Sequence, residues 1–176
     1  MILRPASMAP APLGDAPALS ALGRDSFCAA FADLYRPEDL QAFLKKAYCV
    51  ETVAREIAAE EYIHQLAEDA GKLIGFCKLQ VPSTYTQYSS AKNPIALSQL
   101  YTAPELTGAG IGAALMDWAL DKARARGADA VQLSVYSENY GAQRFYQRYG
   151  FTKIADIHFW VGQHRDAEFL YELPLG

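Results

Sequence analysis

Cysteine is scarce in this chain: its 176 residues hold Cys28, Cys49 and Cys77, odd in number, far apart and without a CxxC pair. That argues against a disulfide framework or a cysteine-built zinc site and for a reducing compartment. Histidine is equally rare, and His64, His158 and His164 have no metal-ligand spacing, so no metal is expected. An excess of positive charge is missing too. Lys and Arg number 16 against 20 Asp and Glu, for a net charge of −4, whereas a general nucleic-acid binder needs a basic face. No apolar run approaches the roughly 20 residues that cross a bilayer. The opening "MILRPASMAPAPLGDAPAL" is cut by prolines and lacks the continuous apolar core of a secretory leader. The expectation is a cytoplasmic protein, monomer or homodimer, with neither a membrane nor a nucleic-acid partner.

What remains is a globular composition, 51% hydrophobic and 20% charged, in a length that suits one domain spanning residues 1–176. "ILRPA" (2 to 6) reads as a short edge strand, where a proline is tolerated, and a Pro/Ala-rich loop follows to about Pro12. From Asp15 to Tyr35 the pattern is helical, with Asp15 as the cap and Leu19, Leu22, Phe27, Phe31 and Leu34 on the apolar face. Pro37 suits the first position of a second helix, and Glu51 to Ala59 forms a third. The period then drops to two: "EYIHQLAED" and "GKLIGFCKLQ" make a hairpin turning near Asp69-Ala70-Gly71. A polar loop (81 to 94) leads to the strand "IALSQLYTAP". Next comes a helix to about Arg126 with Gly127 at its C-terminal cap, then the strand "DAVQLSVY" with Val131, Leu133 and Val135 on one face. The helix "NYGAQRFYQRYG" and two strands around Gly162 complete the chain.

The stretch "LTGAGIGAALMDWAL" (106 to 120) sets Gly108, Gly110 and Gly112 at alternate positions just where a helix begins. Amides at a helix start have no internal partners and carry the positive end of the dipole, and glycines let a phosphate reach that backbone. The same pattern also serves a tight strand-to-helix corner. A P-loop is excluded because Ala113-Ala114 follows Gly112 where Lys and Ser or Thr are needed. The dinucleotide pattern G-x-G-x-x-G/A is met by Gly108, Gly110 and Ala113, with Asp129 downstream. Asp129, however, opens the next strand, where the ribose-binding acid should close one.

Together "YTAPELTGAGIGAALMDWAL" and "NYGAQRFYQRYGF" resemble the GNAT superfamily of acyl-CoA-dependent N-acetyltransferases. The first is similar to the family's Q/R-x-x-G-x-G/A stretch. The second is similar to its segment of an Asn, a Phe-Tyr pair and a closing Gly-Phe, here Asn139, Phe145-Tyr146 and Gly150-Phe151. The resemblance covers nearly the whole chain. "SFCAAF", "PEDLQAFLKKAY" and "FWVG" look most like a bacterial branch associated with polyamine acetylation. It implies an α/β fold with a mixed, twisted β-sheet splayed at its centre and helices on both faces.

The implied reaction moves the acetyl group of acetyl-CoA to a primary amine of a small molecule by direct attack in a ternary complex. The alternative is a CoA-binding sensor or interaction module with little catalysis. By the resemblance, the backbone of Gly108, Ala109, Gly110, Ile111, Gly112 and Ala113 takes the pyrophosphate. Leu100, Tyr101 and Thr102 pair with the pantetheine arm as an added strand. Thr107 stands where the family has Gln or Arg, which implies weaker cofactor binding. Tyr146 is the candidate acid for the departing thiolate, and Asn139 bonds the pantetheine, caps its own helix, or does both. "DKARARG" reads as a solvated helix face, with Arg124 and Arg126 as the alternative site for a nucleotide phosphate, and Tyr85 and Tyr88 are either plain loop residues or part of the substrate pocket. The base is missing: no carboxylate lies between Gln80 and Pro104. The alternatives are a water chain or an acid from elsewhere such as Glu51 or Glu61, and an acid-poor wall would not suit a cationic acceptor.

Overall fold

The structure, a computed structural model, describes residues 1–9 and 13–176. The expected Pro/Ala-rich loop therefore lies partly outside the described residues. In chain order the elements are β1 (Ile2–Pro5), α1 (Ala16–Phe31), α2 (Pro37–Ala47), α3 (Val50–Ala58), β2 (Tyr62–Asp69), β3 (Lys72–Gln80), β4 (Pro94–Thr102), α4 (Ile111–Ala125), β5 (Ala130–Tyr136), α5 (Tyr140–Arg148), β6 (Thr152–Val161) and β7 (His164–Pro174). The strands form one sheet in the order β1-β2-β3-β4-β5-β7-β6. Every neighbouring pair is antiparallel except β4 and β5.

That exception shapes the molecule. β4 and β5 pair only through Pro94–Ala96 and Ala130–Gln132, and beyond those residues the sheet divides. A bulge opposite Lys78 and Leu79 adds Ser98 to β4 without a register partner, and a bulge bends and twists its strand. The expected splay lies there. β7 then inserts between β5 and β6 and brings the C-terminal strand against β5.

Helices cover both faces, as the resemblance implies. The main core joins Ile111, Leu115, Met116, Ala119 and Leu120 of α4 to Val131, Leu133 and Val135 of β5 and to Phe151. Across the sheet, Leu19 and Leu22 of α1 and Val53 of α3 pack on Leu66 and Phe76, while Phe27, Tyr48 and Val161 form a third cluster. Next to each other on α4, Ala119 is fully buried and Trp118 is half-buried.

Two expectations near the N-terminus need correction. The first helix stops at Phe31, followed by a short 3-10 turn over Ala32–Leu34, and Leu34 is exposed rather than on the buried face. Asp15 precedes α1 but makes no side-chain cap. Arg4 competes successfully for its carboxylate, with both guanidinium nitrogens donating at 2.7 Å, and the Ser7 amide donates at 2.8 Å. A charged, forked donor is a stronger partner than a helix-start amide. Arg4 also reaches Glu68 at 2.6 Å, so the cluster ties the edge strand to β2 and to the start of α1.

The Arg4 bond, and after it the Ser7 amide, hold the Asp15 carboxyl below its ordinary range against the opposing effect of burial. Its contribution to stability is complete above the unfolded carboxyl value of about 3.9 and is lost as pH falls through the lower folded value. Asp15→Asn should cost about 1 kcal/mol, since Arg4 remains partly exposed and screened. Chemical denaturation at pH 7 and pH 3 checks this, and the gap between wild type and variant should shrink at pH 3.

Candidate active site

A cavity of about 710 Å³ opens where β4 and β5 part. Leu97 to Thr102 of β4 form one wall; Ser134 to Tyr136 of β5, with Asp166 and Glu168 of β7, form the other. Phe27 and Phe31 of α1, Phe43 of α2 and Tyr48 close one side with aromatic rings. Past Ala96, β4 is paired only with β3. A strand bonded on one side can take an extended ligand on the other, and Leu100, Tyr101 and Thr102 all line the cavity there.

The glycine stretch meets the same cavity through Thr107, which lines it. Gly108 and Gly110 have φ of +86° and +82°, the left-handed region that favours glycine. A β-carbon built at either would meet no heavy atom within 4 Å, so close packing does not explain the absence of side chains. The Ala109 amide bonds Leu106 at 3.2 Å, and the α4 ladder begins with Ala114 on Gly110 at 3.1 Å. The amides of Gly108, Gly110, Ile111, Gly112 and Ala113 stand outside that ladder, at the positive end of a 15-residue helix. This is the arrangement an anion needs. Gly112 sits beside Thr102 and Phe145, joining the turn to the end of β4 and to α5. Thr107 spends its hydroxyl on the Pro104 carbonyl at 3.0 Å.

Tyr146 lines the cavity from α5. Its ring is held by Phe145 and Phe151, with centroids 5.5 and 5.9 Å away. Burial, reinforced by Tyr101, pushes its phenol well above the ordinary value, so it keeps its proton. Asn139 also lines the cavity, while its side-chain oxygen accepts the Ala142 amide at 3.1 Å. It caps α5, one of the two uses left open by the sequence.

Residues 24–151 match the family model of the acetyltransferase (GNAT) family. The chain belongs to that family. With membership come the activity class and cosubstrate implied by the motifs: the GNAT protein is an acyltransferase that uses acetyl-CoA. It is similar to an uncharacterized N-acetyltransferase in the pepI 3' region of Lactobacillus delbrueckii subsp. lactis, 26% identical over 161 residues and 92% of each chain. In fold it is similar to a PaiA N-acetyltransferase from Thermoplasma acidophilum in complex with coenzyme A, at a TM-score of 0.77 and 22% identity over 99% of this chain and 100% of that one. It is also similar to Arabidopsis thaliana NAA60 in complex with acetyl-CoA, at 0.74 and 17% over 99% and 98%.

Several residues singled out in the sequence lie elsewhere in the GNAT fold. Asp129, which a dinucleotide site would turn toward a ribose, accepts the amides of Lys92 and Asn93 at 2.6 and 2.9 Å and fastens the polar loop. With one short parallel pair in the sheet, the dinucleotide reading falls. Arg124 pairs with Asp121 at 3.2 Å at the far end of α4, about 20 Å from the glycines by helix rise. Arg126 follows it there. Glu51 and Glu61 are exposed and do not line the cavity. Tyr85 lines it and Tyr88 does not.

The carboxylates that line the cavity belong to β7. Asp166 and Glu168 lie two residues apart on one strand face, and Tyr136 faces Glu168 across the β5 pairing. Asp166 is buried; it accepts the Tyr35 hydroxyl at 2.5 Å and lies 3.1 Å from His164 Nε2. A signal existed in "DAEFL": two acids at a spacing of two, which a strand places on one face.

Proposed function

We propose that the protein transfers the acetyl group of acetyl-CoA to a primary amine of a small molecule, by direct attack with both substrates bound. One observation carries this: the one-sided edge of β4, Tyr146 and Thr107, the residue that leads into the glycine turn with its unengaged amides, all line the same opening between β4 and β5. In this reading Gly108 to Ala113 hold the pyrophosphate, Leu100 to Thr102 align the pantetheine arm, and an amide of β4 donates to the thioester oxygen. Acetyl-CoA supplies an activated acyl group. Tyr146 holds the proton that the leaving sulfur needs, and its ring packing fixes where that proton is delivered.

The acceptor side favours a cation with an apolar body. Asp166 and Glu168 supply negative charge, and Tyr35, Tyr48, Tyr85, Tyr101 and Tyr136 supply aromatic walls, which attract ammonium groups when desolvated. A small diamine or polyamine fits that chemistry, and the acid-poor wall expected from β4 alone no longer argues against it.

Two measurements test the reading. Calorimetry with acetyl-CoA should show one-site binding, and a concentration a hundredfold above Kd should stabilise the fold by about 2.7 kcal/mol. Free-thiol release should then be detected with at least one of spermidine, n-butylamine and benzylamine. Absence of both binding and thermal stabilisation at millimolar acetyl-CoA would overturn the proposal. The Thr107 hydroxyl, committed to Pro104, favours a second reading, a CoA-binding sensor. That protein would bind acetyl-CoA and leave every amine unacetylated.

A further inference from the structure

Glu168 is the charged group at the cavity that, among the described residues, keeps a buried oxygen unengaged. Lys78 pairs with Glu56 at 2.8 Å, and Asp166 is engaged by Tyr35 and His164. Glu168, by contrast, lines the cavity with its Oε2 buried and without a hydrogen-bond partner. An unsatisfied buried oxygen is costly, and an apolar residue at this β7 position would avoid that cost. A buried polar atom left unpaired in a native fold calls for an explanation such as a catalytic role.

The groups facing it offer no cation. Tyr136 lies opposite on β5, Tyr101 reaches in from β4, Tyr85 from the polar loop and Tyr35 from behind α1, while Asp166 shares its strand face. Burial above all, with help from Asp166, pushes the carboxyl above its ordinary range, against a Ser134 hydrogen bond that favours the charged form and leaves Oε2 unpartnered. A carboxylate displaced toward neutrality is a better proton acceptor at pH 7 than an ordinary one.

We propose that Glu168 is the general base that deprotonates the acceptor ammonium, an inference that rests on the acetyl-transfer reading above. One ammonium proton passes to Glu168 and then to water. The freed nitrogen pair forms the C–N bond, and the C–S bond breaks with its pair going to sulfur. Tyr146 gives sulfur its proton and regains one from the nitrogen as the amide forms. The third proton stays on the amide. The base thus comes from β7, on the β5 side of the splay, while Tyr146 comes from α5.

The test compares wild type, Glu168→Gln and Glu168→Asp, assayed by free-thiol release with the best amine of the panel from pH 5 to pH 10. Acetyl-CoA affinity is measured alongside by calorimetry. Glu168→Gln should lower kcat about a hundredfold at pH 7 with acetyl-CoA Kd unchanged. The acid limb of the wild-type profile, lying above the ordinary carboxylate range, should vanish, and activity should recover as pH rises and the amine loses its own proton. Glu168→Asp should keep an acid limb at reduced kcat, and it decides the matter if the glutamine variant does not fold. Retention of kcat within threefold with the same acid limb would overturn the proposal. So would a Glu168→Gln loss matched by weaker acetyl-CoA binding, which marks a structural role. Wild type that binds acetyl-CoA yet acetylates no amine overturns the acetyl-transfer reading itself, and this assignment with it.

Discussion

Gly110→Asp is expected to weaken acetyl-CoA binding by more than a hundredfold while leaving the protein folded. Gly110 has φ of +82°, and Asp is among the few residues with a side chain that enter the left-handed region readily. A β-carbon there meets no heavy atom within 4 Å, so the strain stays near 1 kcal/mol. The carboxylate would stand among the amides that open α4. Held about 5 Å from a phosphate near the surface, it would oppose binding by roughly 3 kcal/mol per charge pair, and each 1.4 kcal/mol is tenfold in Kd. Gly110→Asn carries the same volume without the charge and should lose far less. Calorimetry on both variants, with thermal melting as the folding check, makes the measurement. Equal losses in the two would mean that volume, not charge, is what the cradle excludes.

The site was legible in the sequence as far as local signals reach. The glycine turn and the Phe145-Tyr146 pair are each written within one stretch of chain, and the structure sets them at the start of α4 and on α5. The acceptor side was not legible, because it depends on strand order. Glu168 and Tyr136 are 32 positions apart and become neighbours only because β7 inserts between β5 and β6. No periodicity reports such an insertion. Asp15 failed for a related reason: its neighbours in sequence favour a cap, but its partner Arg4 reaches it from the edge strand. The end of α1 at Phe31 was also a tertiary matter. Tyr35 leaves the helix line and donates to Asp166 across 131 positions, a bond that the apolar spacing of the segment cannot announce.

Tyr146→Phe should lower kcat about a hundredfold with little change in acetyl-CoA affinity or stability. The substitution removes only the hydroxyl. The ring keeps its contacts with Phe145 and Phe151, and no hydrogen bond from the hydroxyl to the described residues is lost. What disappears is a proton held at the cavity wall, and acid catalysis by a positioned side chain contributes about 10² to 10⁴. The pH profile separates this role from that of Glu168. Burial, with Tyr101 second, raises the Tyr146 phenol above the usual value of about 10. Its ionisation therefore places no alkaline limb below pH 10 in the wild type, and Tyr146→Phe should scale the whole profile down without moving its acid limb. Glu168→Gln should do the reverse, removing the acid limb. The two groups act on different atoms, nitrogen and sulfur, yet one turnover needs both. The double variant should therefore lose less than the product of the single losses, because once one proton transfer limits the rate the other no longer does. Undiminished kcat in Tyr146→Phe on an amine that the wild type acetylates would remove Tyr146 from the mechanism and leave sulfur to take its proton from water.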